Sequence, residues 1–229
     1  MEEQPLDAAA PSPGQSLKNL YRIAGSSFMI AGVLYVWAFA AQLFLPAPHF
    51  GESVLQYVAS YRSFFVLSYA LFTVANSLSI IGVLGIYAVT RILDRSFAIL
   101  GAGTMVIGLV ATLFTSTEPA LITLSYGFAA ATSDADRQAF LTAAGVVGAM
   151  NNPLIASAFI GVGVIFVSLA MMAGQFGRGL AYLGLVVGTL NVVRALPFLA
   201  GYPFLTGIIF DSVSSVWIFG VGRKVYGRA

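Results

Sequence analysis

Two opposite charges stand at the ends of an otherwise uncharged stretch, RALPFLAGYPFLTGIIFD, from Arg194 to Asp211. A charged side chain within a membrane costs roughly 2.5–3.5 kcal/mol on insertion scales, so such residues usually pair with one another or mark the path of a substrate or ion. We therefore expect an ion pair between Arg194 and Asp211. It has two alternative roles: a clamp between two helices, or part of a binding site.

The spacing of the two charges favours this pairing. Gly201, Tyr202 and Pro203 predict a tight turn between two helices. At a rise of about 1.5 Å per residue, Arg194 and Asp211 both lie on the order of 10–13 Å from that turn. In an antiparallel helix pair they therefore lie at matched depth and can meet where their helical faces agree.

Other polar residues fall within apolar segments and can share the interior with this pair. Asn191 lies one helical turn before Arg194 on the same face, and Asn76 lies near the middle of another apolar segment. Taken singly, each is expected to join helices through a hydrogen bond rather than to contact a ligand. Taken together, they outline a polar cavity that opens to the outer side of the membrane. The predicted ligand-binding residues are Arg194, Asp211, Asn191, Asn76, Glu118 and Ser212.

The reactive residue types exclude several kinds of site. The chain has no cysteine, which excludes disulfides, thiolate metal sites and iron–sulfur clusters. His49 is the sole histidine and lies beside prolines in a loop, which argues against haem and histidine-built metal sites. No zinc-protease, serine-hydrolase or phosphate-loop motif is present. We predict no catalytic residues, no metal and no cofactor, and an enzyme is only the third alternative for the function.

The elements that must position these polar residues are membrane-crossing helices. Apolar residues make up 59% of the 229 residues and charged residues 9%, whereas soluble domains average about 25% charged residues. The mean hydropathy is +0.89. A soluble chain with so few charges could not cover its own surface, so the composition predicts an integral membrane protein. No basic patch with interleaved aromatic residues suggests nucleic acid.

Six apolar segments are long enough to cross a bilayer, which takes about 20 residues of helix. The predicted class is therefore all-α, a polytopic membrane helix bundle with six transmembrane helices. It forms a single domain over residues 20–227, behind a disordered cytoplasmic tail at residues 1–19. The predicted spans are residues 23–45, 64–90, 97–117, 153–174, 180–200 and 204–222.

The distribution of lysine and arginine predicts the orientation, because cytoplasmic loops are enriched in both. Two of them, Arg62 and Arg137, fall on the side opposite the N-terminus. Both termini are therefore predicted to be cytoplasmic, in the plasma (inner) membrane. The alternative is a signal peptide cleaved near the small residues 38–42, which the long apolar segment and the polar tail disfavour. The eight basic residues on the N-terminal side are Lys18, Arg22, Arg91, Arg95, Arg178, Arg223, Lys224 and Arg228.

Residues 118–152 form the longest segment between predicted spans and are predicted to be an extracytoplasmic helical cap between helices 3 and 4. The first part is apolar but too short to cross the membrane, so it either extends the third span beyond a kink or lies at the interface. Ser133 and Asp136 have the spacing of a capping box, which predicts a helix from Asp134 to about Met150. The cap is either a packed cover for the helix ends or a mobile lid over a cavity.

Three stretches, NLYRIAGSSFMIAGVLY, LAYLGLVVGTLNVV and SSVWIFGVGRKVYG, resemble an uncharacterised bacterial six-helix membrane family, domain of unknown function 4386. The likeness covers Leu20 to Gly227. It implies a six-helix membrane fold and brings with it no established activity and no catalytic residues.

Two classes of function follow from these observations. The favoured prediction is binding or transport of a small amphiphilic or lipid-like ligand in an outward-facing polar cavity. The alternative is a structural or regulatory membrane protein that acts through a membrane partner, with the buried charges serving only packing. The predicted partners are the lipid bilayer and the small ligand, and nucleic acid is not among them.

Overall fold

The structure is a computed structural model that describes residues 13–46, 53–150, 153–174, 176–196 and 203–229. These residues form nine helices and no strand. The all-helical class predicted from the sequence is confirmed. The helices are α1 Pro13–Leu43, α2 Val54–Ser60, α3 Arg62–Thr90, α4 Arg95–Thr115, α5 Glu118–Ala130, α6 Asp134–Met150, α7 Pro153–Met172, α8 Arg178–Arg194 and α9 Pro203–Tyr226.

Several helices begin at side-chain caps that the sequence supplies. The Asp94 carboxylate accepts a hydrogen bond from the backbone N–H of Phe97, 3.0 Å away, and starts α4. At the start of α6, the backbone N–H of Asp136 donates to the Ser133 hydroxyl at 3.1 Å, and that hydroxyl donates to the Asp136 carboxylate at 2.6 Å. The predicted helix start at Asp134 is therefore correct, because the Ser133 hydroxyl caps the backbone N–H of Asp136 and the Asp136 carboxylate orients that hydroxyl.

Six of the helices form a ring in chain order: α1, α3, α4, α7, α8 and α9, with α9 packed against α1. Neighbours in the ring run antiparallel. The ring is flattened, because α3 also touches α7 and α9. The short helices α2, α5 and α6 lie outside the ring, packed on one another, and α2 and α5 also touch α3.

Glycines bring the backbones of three neighbouring helix pairs into close contact. A Cβ atom at Gly222 of α9 would lie 2.8 Å from the carbonyl oxygen of Gly25 in α1. A Cβ at Gly108 of α4 would lie 2.7 Å from the backbone nitrogen of Ile160 in α7. A Cβ at Gly161 of α7 would lie 2.6 Å from the carbonyl oxygen of Gly188 in α8. Small residues at these positions let membrane helices pack without side chains between them.

Of the other three contacts in the ring, that of α1 with α3 is extensive, whereas those of α3 with α4 and of α8 with α9 are sparser and rest on side chains. The glycines of α3 at positions 82 and 85 face α1, and those of α4 at positions 101 and 108 face α7. Between α8 and α9, a Cβ at Gly220 would meet only the side chain of Leu180, at 3.0 Å. The ring therefore consists of two tightly packed halves, the α9–α1–α3 half and the α4–α7–α8 half, joined at two looser seams.

One end of the ring is sealed by a continuous apolar core. Its largest fully buried members include Phe28, Ile86, Met171, Phe176 and Trp217. We call this the basic end, because the basic residues of the chain termini and of the short α3–α4 and α7–α8 connections lie there. The helices α2, α5 and α6 lie at the opposite end.

The N-terminal boundary differs from the prediction. Helix α1 begins at Pro13, so residues 13–19 are helical and do not belong to a disordered tail. The physical reason is packing: Leu17 and Leu20 lie against the core of the basic end. Residues 1–12, which carry the rest of that prediction, lie outside the described residues.

Among the residues that the structure describes, four helical segments are long and apolar enough to cross a membrane, which supports the membrane class predicted from composition. Helix α8, at 17 residues, is shorter than these four, and α9 has 24 residues and carries Asp211, Arg223 and Lys224. The third segment runs across the break between α4 and α5, where Ser116 is extended at ψ 124°. The four segments are Gly14–Ala40, Arg62–Thr90, Arg95–Ala130 and Ile155–Met172.

Candidate functional site

A cavity of about 740 Å³ lies at the centre of the ring. Each of the six ring helices contributes residues to its lining, and the lining is mostly apolar and aromatic. The cavity reaches from Trp217 and Val164, at the edge of the sealed core, to Tyr57 and Glu118 at the opposite end. Its size and lining are those of a pocket for a small molecule, since such pockets span about 300–1,000 Å³ and hold a few polar groups.

The predicted ion pair is present and lies in the wall of this cavity. Nη1 of Arg194, in the last turn of α8, is 2.7 Å from Oδ1 of Asp211 in α9. The Arg194 side chain is 31% exposed and the Asp211 side chain is 14% exposed. Both residues line the cavity, so the pair joins α8 to α9 and also presents charge to the cavity. The two roles foreseen from the sequence, clamp and site, are thus compatible.

A second polar link joins the same two helices one turn deeper. The side-chain amide of Asn191 donates to the hydroxyl of Ser214 at 3.3 Å and to the carbonyl oxygen of Val187 at 2.9 Å. The Ser214 hydroxyl donates in turn to the carbonyl of Phe210 at 2.7 Å. Asn191 and Ser214 both line the cavity. The looser seam between α8 and α9 is therefore joined by two polar contacts stacked along the cavity wall.

Asn76 belongs to a third polar group, between α1 and α3. The phenol of Tyr35 donates to Oδ1 of Asn76 at 2.9 Å, and the Ser79 hydroxyl donates to the Tyr35 oxygen at 3.5 Å. Sequence reasoning identified Asn76 and missed Tyr35 and Ser79. The available signal was a tyrosine within an apolar segment, because a buried phenol needs a hydrogen-bond partner.

Glu118 and Ser212 have different placements. Glu118 begins α5 and lines the cavity at the end opposite the sealed core, where its side chain is exposed. Ser212 is exposed on α9 and is not among the residues that line the cavity. The face of α9 that turns inward holds Asp211, Ser214 and Ser215, because residues three and four apart share one side of a helix. Five of the six predicted residues thus surround one cavity, whereas Ser212 lies outside it.

Aromatic rings form much of the cavity wall. The ring of Phe72 in α3 meets that of Tyr35 edge-on, with centroids 5.6 Å apart, and that of Phe39 at 6.1 Å. At the wider end, the rings of Tyr57 and Phe65 lie 5.8 Å apart in a similar arrangement. Edge-to-face pairs at this spacing add to the packing energy and leave ring faces available to a ligand.

Two unsatisfied polar groups lie beside the deep end of the cavity, and one of them, on Trp217, belongs to a residue that lines it. Trp217 is 1% exposed and lines the cavity, and its indole N–H has no hydrogen-bond partner among the described residues. The buried hydroxyl of Ser168 is likewise unpartnered there, and both atoms lie against Gly184. An unsatisfied buried polar group costs about 1–3 kcal/mol, so these two groups lower the stability of the fold at this point.

The described residues contain no group of three His, Cys, Asp or Glu side chains that could hold a metal ion. The sequence prediction on His49 lies outside the described residues. The arrangement can bind a small molecule, because the cavity presents one cation, two carboxylates, hydroxyls and amides within aromatic walls.

No protein-family model, no curated protein and no solved structure matches this chain. The resemblance to the six-helix family of unknown function therefore stays a prediction, and the function has to be argued from the cavity itself.

Proposed function

We propose that this protein is an integral membrane protein that binds, and moves across or within the bilayer, a small amphiphilic or lipid-like ligand held in the central cavity. The observation that carries the proposal is the convergence of Arg194, Asp211, Asn191 and Asn76 on one aromatic-lined cavity. A packed bundle would satisfy such groups between helices without leaving space for a ligand beside them.

All six ring helices cross the bilayer in this proposal. Support comes from the outward faces of α8 and α9, which expose large apolar residues that water would disfavour and lipid would accept. Helix α8 has 17 residues and is about 26 Å long, at the short end of what spans a membrane. The exposed apolar residues of these two helices include Tyr182, Val186, Ile209, Val216 and Phe219.

The basic end faces the cytoplasm in this proposal, with both termini inside the cell, and the membrane is the plasma (inner) membrane. Arg22, Arg95 and Arg178 lie at that end, as the enrichment of basic residues in cytoplasmic loops requires. The cavity then opens away from the cytoplasm, and α2, α5 and α6 form the extracytoplasmic cap beside its mouth.

The cavity fits an amphiphile because its polar groups and its ring faces occupy different parts of the wall. The ion pair and the Asn191–Ser214 link lie on α8 and α9, whereas Phe39 and Phe72 lie on α1 and α3. A polar headgroup can lie against the first set while an apolar part contacts the second. A volume of about 740 Å³ is enough for a molecule of drug size.

Release of the ligand takes place at the looser seams of the ring. Glycines bring α9 and α1, α4 and α7, and α7 and α8 into backbone contact, and the glycines of α3 pack on side chains of α1, so the halves are expected to move as units. The seam between α8 and α9 is crossed by polar side chains that a polar ligand can replace. Separation of the two halves there opens the cavity sideways to the bilayer.

The alternative function is a structural or regulatory membrane protein that acts through a membrane partner. The observation in its favour is that the ion pair and the Asn191–Ser214 link join α8 to α9 where backbone packing is weak. In that case the polar groups hold the ring closed and the cavity binds nothing specific.

Mass spectrometry of small molecules retained by the purified protein tests the proposal. Ser157→Phe places a ring in the cavity wall on α7, whereas Ser212→Phe places the same ring on the exposed side of α9. The proposal predicts one class of amphiphile retained by the wild type and by Ser212→Phe and lost from Ser157→Phe. Equal retention by all three proteins, or retention by none, would support the alternative.

A further inference from the structure

The described residues that line the cavity have an unbalanced charge. They include one cation, Arg194, and two carboxylates, Asp211 and Glu118. Arg194 and Asp211 neutralise one another at 2.7 Å, and no described cation forms an ion pair with Glu118. The lining therefore carries a formal charge of −1. A bound anion would have to compete with Asp211 for Arg194, whereas a bound cation would balance Glu118.

The aromatic walls of the cavity also favour a cation over an anion. Nine of the lining residues are aromatic, among them Tyr35, Phe72 and Trp217. The face of an aromatic ring carries negative potential and attracts cations, most strongly when water is excluded. Elsewhere in the structure, arginine side chains contact the faces of aromatic rings: the Arg62 guanidinium lies 3.6 Å from the Tyr126 ring centroid. None of the described cation–ring contacts involves an aromatic residue of the cavity.

We infer that the ligand of the central cavity is an organic monocation with an apolar body, such as a quaternary ammonium or protonated amine amphiphile. The inference rests on the proposed function and names the class of its ligand. The apolar body of the ligand lies against Phe39 and Phe72, its cation lies between these rings and the polar wall of α8 and α9, and Glu118 attracts the cation at the mouth. The neutral Arg194–Asp211 pair contributes polarity without favouring an anion.

Tetraphenylphosphonium and tetraphenylborate test the charge of the ligand, because the two ions share size and shape and differ in sign. The reporter is Trp217, which is 1% exposed and lines the cavity. The chain has two tryptophans, and Trp37 is 66% exposed on the outer face of α1. In the full-length Trp37→Phe protein, held in nanodiscs of neutral lipid, tryptophan fluorescence therefore reports occupancy of the cavity alone.

The inference predicts that the phosphonium binds at least about tenfold more tightly than the borate, after correction for partitioning into protein-free nanodiscs. Glu118→Gln is expected to weaken phosphonium binding by about two- to fivefold, since a carboxylate at the mouth acts through partly hydrated space. Asp134→Asn is the matched control, because Asp134 is an exposed carboxylate on α6 outside the cavity, and it should leave binding unchanged.

Binding of the borate as tight as that of the phosphonium, or tighter, overturns the inference and leaves the proposed function standing. So does equal loss of phosphonium binding in Glu118→Gln and Asp134→Asn. If neither ion changes Trp217 fluorescence and a neutral alkyl maltoside below its critical concentration also fails to do so, both the inference and the proposed function fall.

Discussion

Arg194 and Asp211 lie 17 positions apart in the chain, and their side chains meet at 2.7 Å where α8 and α9 face the central cavity. This contact explains why the apolar helices α8 and α9 each keep a charged residue at the cavity. The pair neutralises itself within the bundle, joins the weaker of the two seams and gives the cavity a polar wall.

The first prediction concerns the stability that the pair contributes. Arg194→Leu or Asp211→Leu alone leaves one charge without its partner, and each should lower the free energy of unfolding by on the order of 3 kcal/mol. The double variant should recover much of that loss, because two apolar side chains need no partner. Denaturant titration of the three variants in detergent measures this. A double variant as unstable as the sum of the singles would show that the pair does not couple.

The second prediction concerns the close helix contacts. Gly108→Ala should destabilise the protein by about 1–3 kcal/mol, because its Cβ would lie 2.7 Å from the backbone nitrogen of Ile160. Gly103→Ala, on the same helix, meets no atom within 4 Å and should be neutral or stabilise by up to about 1 kcal/mol. Thermal unfolding of both variants gives the comparison. Equal effects would mean that α4 and α7 are not in backbone contact.

The third prediction concerns the orientation in the membrane. The natural chain has no cysteine, so single cysteines report labelling without background. A membrane-impermeant maleimide should label Thr132→Cys in intact cells and label Ser96→Cys only after the membrane is opened. Both residues are exposed, at opposite ends of the ring. The reverse pattern would place the basic end outside, and labelling of both in intact cells would contradict the spans between them.

The fourth prediction concerns the seam between α8 and α9. The Asn191 amide nitrogen lies 3.3 Å from the Ser214 hydroxyl, so cysteines at both positions lie within reach of a short bis-thiosulfonate cross-linker. In the Trp37→Phe background, cross-linking should slow the release of bound tetraphenylphosphonium, and reduction of the cross-link should restore it. The reduced protein is its own control. Release at the same rate in both states would show that the ligand leaves by another route.

The sequence predicted the pairing of Arg194 with Asp211 because their spacing about one turn fixes their relative depth, whatever the rest of the fold does. The same holds for the start of α6, where Ser133 and Asp136 act on one another locally. The start of a helix and the pairing of two charged residues about a turn are thus predictable from short-range spacing. The sequence did not predict that residues 13–19 are helical. Leu17 and Leu20 pack this part of α1 against the core, and that contact depends on distant helices.

Two further features depend on which face of a helix turns inward, and the sequence does not state this. Ser212 and Ser214 are equally good candidates by composition, yet Ser214 faces the cavity and Ser212 does not. Tyr35 bonds to Asn76 across 41 positions, and this partner follows only once α1 and α3 are packed together. The closure of the ring by α9 against α1 likewise joins the two ends of the chain through Gly25 and Gly222.

The most direct measurement of the central claim is a cryo-electron microscopy map of the wild-type protein in lipid nanodiscs, with an antibody fragment bound to add mass. The account predicts density for a small molecule in the central cavity, with its polar part beside Arg194 and Asp211 and its apolar part against Phe39 and Phe72. A cavity that has closed, so that side chains of α8 and α9 fill it, would contradict the account. An open cavity that shows no ligand density, even after purification with added tetraphenylphosphonium, would also contradict the account.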